Sequence, residues 1–194
     1  MMESSQVRLA IFASGTGSNA VKIMEHFSSN SRIKVALMAS NKQDCGAFAM
    51  AHSHNIPTLS FTPTALKMGE VTLLLHNIHY VILAGFLLKI PQNMLDVFPD
   101  RIINIHPSLL PKYGGKGMYG MNVHAAVKQS GDSESGITIH VVNEEYDRGE
   151  VIAQYKTQVL PADQPADIAR KVQILEHTHF PQQIEQYIGR TWKC

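Results

Sequence analysis

Asn104 and His106 stand two residues apart in Asn104-Ile105-His106-Pro107-Ser108-Leu109-Leu110-Pro111. On a strand, side chains at i and i+2 point to one face. The amide and the imidazole are therefore expected to face one way, with Ile103 and Ile105 turned into a core. Such a pair can donate hydrogen bonds to an oxygen that gains negative charge, as in acyl transfer. The imidazole can also move protons. Pro107 and Pro111 stop the strand from simply continuing. The alternative is a satisfied, half-buried histidine beside a structural asparagine, and the pair alone does not separate the two.

Three further groups carry candidate chemistry. Gly15-Thr16-Gly17-Ser18-Asn19 places backbone N–H groups at a predicted helix start, where free donors and the helix dipole favour a phosphate. Ala20 replaces the third glycine of a dinucleotide loop and no P-loop lysine follows. A tight turn capped by Ser18 explains the same residues. Asp147, in Glu144-Glu145-Tyr146-Asp147-Arg148-Gly149, is a carboxylate able to raise the pKa of a nearby imidazole. It reads equally as part of a solvated turn, and spacing does not show that it reaches His106. Gln173 and Glu176 share a helix face, which an exposed surface would also explain. The ten histidines are scattered without metal-ligand spacing, so no metal is expected. His52, His54, His76, His79 and His124 receive no role, and Met118 and Met121 read as loop packing.

The elements that position these groups follow from periodicity. Val7–Ala13 is an apolar strand; a glycine turn and a helix bearing Ala20, Ile23, Met24 and Phe27 come next. Strand, turn, helix is the first unit of a doubly wound fold. Further strands are predicted over 33–39, 80–84 and 102–105, with a brief extended piece at 56–59. Helices are predicted over 47–54, 64–78 (N-cap Thr64; apolar stripe Leu66, Val71, Leu74, Leu75 and Ile78), 91–98 and 122–129. Residues 112–120 hold four glycines and read as loop. The stretch 135–142 alternates, and 151–160 is its antiparallel partner. A long helix over 165–187 closes the chain, with Pro181 expected to kink or interrupt it.

The expected fold is therefore α/β: one Rossmann-like domain over 1–194, a mostly parallel sheet flanked by helices, with an antiparallel β extension. Residues 1–6 are expected to form a flexible extension. A net charge of +1 argues against nucleic-acid or membrane partners. No apolar run reaches bilayer length. Cys45 and Cys194 make no disulfide framework, which suggests a reducing, cytoplasmic setting.

Together these segments closely resemble the family of phosphoribosylglycinamide formyltransferases, folate-dependent enzymes of purine (IMP) synthesis. The resemblance rests on Gly15 to Asn19, Leu83-Ala84-Gly85-Phe86, Asn104 to Pro111, Asp147 before Gly149, and Gln173 to His177. The Asn-x-His-Pro-Ser-Leu-Leu-Pro element is shared by the wider formyltransferase superfamily. The resemblance implies that the amine of 5'-phosphoribosylglycinamide attacks the formyl carbon of the co-substrate 10-formyltetrahydrofolate. Asn104, His106 and Asp147 would be catalytic, without a covalent enzyme intermediate or a metal. Gly17, Ser18 and Asn19 would hold the ribose phosphate, with Gln173 and Glu176 on the same substrate. Leu87, Leu88, Lys89 and Ile90 would line the folate pocket, which Asn104 also faces. Asn143, Glu144, Glu145, Tyr146 and Asp147 would close over the pterin, and Lys67 would meet the glutamate tail. Thr138 and His140 would stand behind the site.

The partners implied are small molecules, for a monomer or homodimer. The chain departs from the family in its 114–120 loop, which looks longer, and in a loop histidine whose counterpart is only His124. The segment 59–80 also looks shortened. A formyltransferase acting on another amine, such as one on a sugar nucleotide, and a non-catalytic nucleotide-binding domain remain the alternatives.

Overall fold

The apolar runs become a single sheet. In the computed structural model, which describes residues 6–192, the strands are β1 (Val7–Ala13), β2 (Ile33–Ser40), β3 (Thr58–Ser60), β4 (Tyr80–Leu83), β5 (Ile102–His106), β6 (Glu134–Val141) and β7 (Val151–Gln158). Their spatial order is β3-β2-β1-β4-β5-β6-β7. Strands β1 to β5 pair in parallel, whereas β6 runs antiparallel to both β5 and β7. The sheet is thus the mostly parallel one expected, with its antiparallel extension. Residues 1–5 of the expected N-terminal extension, and Cys194, lie outside the described residues.

Alternation splits β1, β2, β4 and β5 between two cores. Leu9, Ile11 and Ala13 of β1 pack with α1 (Ser18–Phe27), α2 (Ala47–Ser53) and the long C-terminal helix. Ala10 and Phe12 face the other way, toward α3 (Pro63–Lys67), α4 (Glu70–Leu74) and α5 (Gln92–Val97). The remaining helices, α6 (Met121–Ser130) and α7 (Pro165–Thr191), lie on the first side. Covered on both faces, β4 is buried throughout, as an unbroken Tyr-Val-Ile-Leu run requires. The strand order reverses at β1 and β4. The crevice at the carboxyl ends of such strands is where open α/β sheets bind ligands.

Two helices differ from expectation. The helix expected over 64–78 is two short ones, α3 and α4. Thr62, not Thr64, is the N-cap: its Oγ1 accepts from the Ala65 N–H 3.1 Å away, and Pro63 opens the helix. The break falls at Gly69, whose φ of 85° is left-handed. Restarting there leaves Leu66, Val71 and Leu75 in the core but turns Leu74 out to 58% exposure. By contrast, α7 continues for 27 residues without interruption at Pro181. An internal proline costs a helix about 3 kcal/mol. Phe180, Ile184 and Ile188 are fully buried around it, and each such side chain contributes about 1.5–3 kcal/mol. Packing outweighs the lost backbone bond.

Candidate active site

Strand β5 lies where the sheet changes from parallel to antiparallel, so its last residues meet two different neighbours. Asn104 stands beside Leu83 of β4 and His140 of β6, and His106 beside Thr138. Ile103 and Ile105 point into the α7-side core, so Asn104 and His106 share the opposite face, as the spacing predicts. His106 is buried, at 4% exposure.

The tautomers follow from the partners. His106 Nε2 lies 2.7 Å from the Tyr113 carbonyl, which can only accept, so Nε2 carries a proton. His106 Nδ1 faces Asp147 Oδ2 at 3.5 Å. This is a charge contact, longer than a good hydrogen bond. The Gly115 N–H donates to the same Oδ2 at 2.8 Å. His140 Nδ1 donates to the Val141 carbonyl at 2.8 Å, which leaves Nε2 of the neutral ring to accept from Asn104 Nδ2 at 3.0 Å. Asn104 is thereby held in one orientation with a second N–H to spare. Asp147 Oδ1 lies 3.7 Å from His140 Nε2.

The electrostatics correct one expectation. Burial dominates at His106 and holds its pKa below the ordinary imidazole value; Asp147 and the Tyr113 carbonyl push upward without prevailing, and His140 pushes down. Asp147 therefore acts in the expected direction but does not raise the net value. At Asp147 itself burial pushes the pKa up. It is overcome by His140, His106 and the Gly115 amide acting together, which hold the carboxyl below its usual range.

The glycine turn sits at the other end. Gly17 is the N-cap of α1, with φ 74° and no side-chain capping bond, so Ser18 does not cap the helix and the first-turn N–H groups stay open. A Cβ at Gly17 would fall 2.5 Å from Ala47 Cβ. Gln173 and Glu176 of α7 come to this turn: Gln173 Nε2 is 3.4 Å from Ser18 Oγ, and Asn19 Nδ2 donates to Glu176 Oε2 at 3.0 Å. Burial raises the Glu176 pKa, with the Asn19 bond opposing. Asn19 Oδ1 is buried without a partner.

One cavity of about 790 Å³ joins the two ends. Thr16, Asn19, Gln173 and Glu176 border it at one end and Asn104, His106 and Asp147 at the other; Leu87 to Ile90 and Asn143, Glu145 and Tyr146 form walls. Residues 7–184 match the family model described as formyl transferase. The chain belongs to the formyl transferase family. It is 44% identical over 184 residues to a chloroplastic phosphoribosylglycinamide formyltransferase of Arabidopsis thaliana, covering 90% of this chain and 63% of that protein. A phosphoribosylglycinamide formyltransferase of Bacillus subtilis is 32% identical over 190 residues, covering 94% and 95%. Among solved structures, the phosphoribosylglycinamide formyltransferase of Anaplasma phagocytophilum matches with a TM-score of 0.87 and 28% identity, covering 97% and 90%. Glycinamide ribonucleotide transformylase 1 of Geobacillus kaustophilus matches with a TM-score of 0.84 and 29% identity, covering 93% and 98%.

In this formyl transferase chain several of the residues named for the site do not border the cavity. Lys67 ends α3 and does not border the cavity; its carbonyl accepts from Asn93 at 3.2 Å. Glu144, Gly17 and Ser18 do not border it either, although Thr16 and Asn19 of the same turn do. Lys89 instead reaches across the rim, its Nζ 5.8 Å from the Tyr146 ring centroid. Met118 and Met121, expected to pack within the loop, border the cavity, and Met121 is 51% exposed. His124 also borders it, buried, with Nδ1 lacking a partner; burial and nearby His106 lower its pKa. Among the described residues no three His, Cys, Asp or Glu are grouped to hold a metal ion, and no helix is long and apolar enough to cross a membrane. Tyr113 and Gly115 act through backbone atoms, which no residue type signals.

Proposed function

We propose that the protein transfers the formyl group of 10-formyltetrahydrofolate to the amine of 5'-phosphoribosylglycinamide, in purine (IMP) biosynthesis. The observation that carries this reading is the shared cavity: Thr16 and Asn19, from the turn that opens α1, and the Asn104–His106–Asp147 group border one space of about 790 Å³. The names of the relatives supply the acceptor and the group transferred; the folate donor follows from the family resemblance.

The phosphate rests on the turn at Gly17, Ser18 and Asn19, with Gln173 and Glu176 along the same substrate. The folate lies between Leu87–Leu88–Lys89–Ile90 and the loop Asn143 to Asp147. The amine then attacks the formyl carbon, and the carbonyl oxygen becomes an oxyanion. Asn104 donates its free N–H to that oxygen. His106, held by the Tyr113 carbonyl and with the Asp147 carboxylate beside its Nδ1, stands against the same oxygen and stabilises the charge that develops there. The C–N bond to the folate breaks, and the proton lost by the attacking amine passes, through a water at Asp147, to the leaving nitrogen. No covalent bond to the enzyme forms.

An absorbance assay of folate deformylation, with glycinamide ribonucleotide as acceptor, tests the reading. Turnover is expected. Turnover with another phosphorylated amine and none with this one would overturn it.

A further inference from the structure

Residues 112–115 form a strap across the back of the catalytic group. The Lys112 carbonyl accepts from Ser108 Oγ at 2.6 Å. The next carbonyl, of Tyr113, accepts from His106 Nε2 at 2.7 Å. Two residues on, the Gly115 N–H donates to Asp147 Oδ2 at 2.8 Å. One short run of backbone therefore holds both the imidazole and the carboxylate.

That run is left-handed at Tyr113, with φ 57°, and at Gly115, with φ 96°. Glycine adopts this region freely, but a tyrosine does so at a cost, so something outside the strap must hold it there. The phenol supplies the tether. Its oxygen lies 2.5 Å from Ser130 Oγ at the end of α6 and 3.0 Å from Asp132 Oδ2 in the following turn. Lys112 Nζ holds the same carboxylate oxygen at 2.9 Å. Tyr113 does not border the large cavity. It borders a separate one of about 400 Å³ on the far side of the strap. It therefore lies outside the cavity that the proposed reaction uses.

We propose that Tyr113 is a positioning residue: its phenol, tethered to Ser130 and Asp132, sets the strap that fixes His106 in its Nε2–H tautomer and holds Asp147 opposite Nδ1. The inference rests on the reading that His106 takes part in the chemistry. The tether acts on the transition state and not on binding, so it belongs to kcat.

The test is Tyr113→Phe, which removes the hydroxyl and keeps the ring. Formyl transfer is expected to fall about tenfold in kcat, below the ~10²-fold that a 1 Å misplacement can cost. KM for both substrates is expected to stay within about twofold of native. The variant also has a spectroscopic signature. His106 is faced by Asp147 from the turn after β6, His140 from β6 and His124 from α6, all of which the substitution leaves in place. The Tyr113 carbonyl raises the His106 pKa. Loosening it is expected to lower that pKa in a nitrogen-15 NMR titration and to weaken the Nε2–H signal. Native kcat, or a loss with an equal rise in KM and an unchanged His106 titration, overturns the proposal.

If Tyr113→Phe does not fold, Ser130→Ala with Asp132→Ala removes the same tether from its other end, and the same outcomes decide. His106→Ala is measured beside them. Near-native kcat there defeats the reading of His106 itself. An inactive His106→Ala with a native Tyr113→Phe defeats only the tether.

Discussion

The two ends of the cavity are built in opposite ways. At the β5 end the chemistry-bearing groups already have partners: His106 is held by a backbone carbonyl, Asp147 by a backbone amide and Asn104 by His140. At the α1 end the reverse holds. There no side chain caps the helix, and the backbone N–H groups of its first turn stay open. The first arrangement fixes direction before a ligand arrives, which is what stabilising a developing charge requires. The second leaves donors vacant for an anion to fill. A substitution at the first end should therefore change kcat, and one at the second KM.

The largest effect expected is at Asn104. Asn104→Ala removes the proposed oxyanion donor and should lower kcat by about 10²–10³, with little change in KM for the phosphorylated amine. A rise in KM alone would break the division between the two ends. Asp147→Asn should follow, with kcat down about 10². It also withdraws a charge that raises the His106 pKa. The acid limb of the kcat profile that reports His106 should therefore move to lower pH, checked by initial rates across the pH range.

At the other end, Gly17→Ala puts a methyl 2.5 Å from Ala47 Cβ at a φ of 74°. We expect a higher KM for the phosphorylated amine, a kcat near native and a stability loss of at least about 1–2 kcal/mol from the left-handed backbone. Calorimetry and initial rates read both.

The smallest effect concerns stability against pH. His106 and His124 are both held below the ordinary imidazole value of 6.5, chiefly by burial. The unfolded chain therefore binds protons first as pH falls. Their contribution to stability is present above that value and is lost as pH drops through the lower folded values. The melting temperature should fall with acidification across this window, and His124→Gln should flatten part of the fall.

Most of the sheet was legible because a period of two, or an unbroken apolar run, marks a strand whatever surrounds it. The Asn104/His106 pair was legible for the same reason. The helix expected over 64–78 misled because Leu74 fits an apolar stripe, and only the left-handed turn at Gly69 shows that the stripe changes register. Pro181 does not interrupt its helix, because a local rule yielded to the packing of Phe180 and Ile184. At the site, the contact of Asp147 with His106 spans 41 residues and depends on the turn after β6. The Tyr113 carbonyl was invisible because every residue carries one. The resemblance to a known family supplied roles that no local pattern carries, such as the glutamate-tail contact at Lys67, which ends α3 outside the cavity.

The central claim is that the preset β5 end performs formyl transfer on an amine anchored at the α1 end. Single-turnover transfer by native protein and His106→Ala, with both substrates saturating, measures the chemical step apart from product release. The account expects the variant to be slower by about 10²–10³, with its affinity for the phosphorylated amine unchanged. Equal single-turnover rates would contradict it.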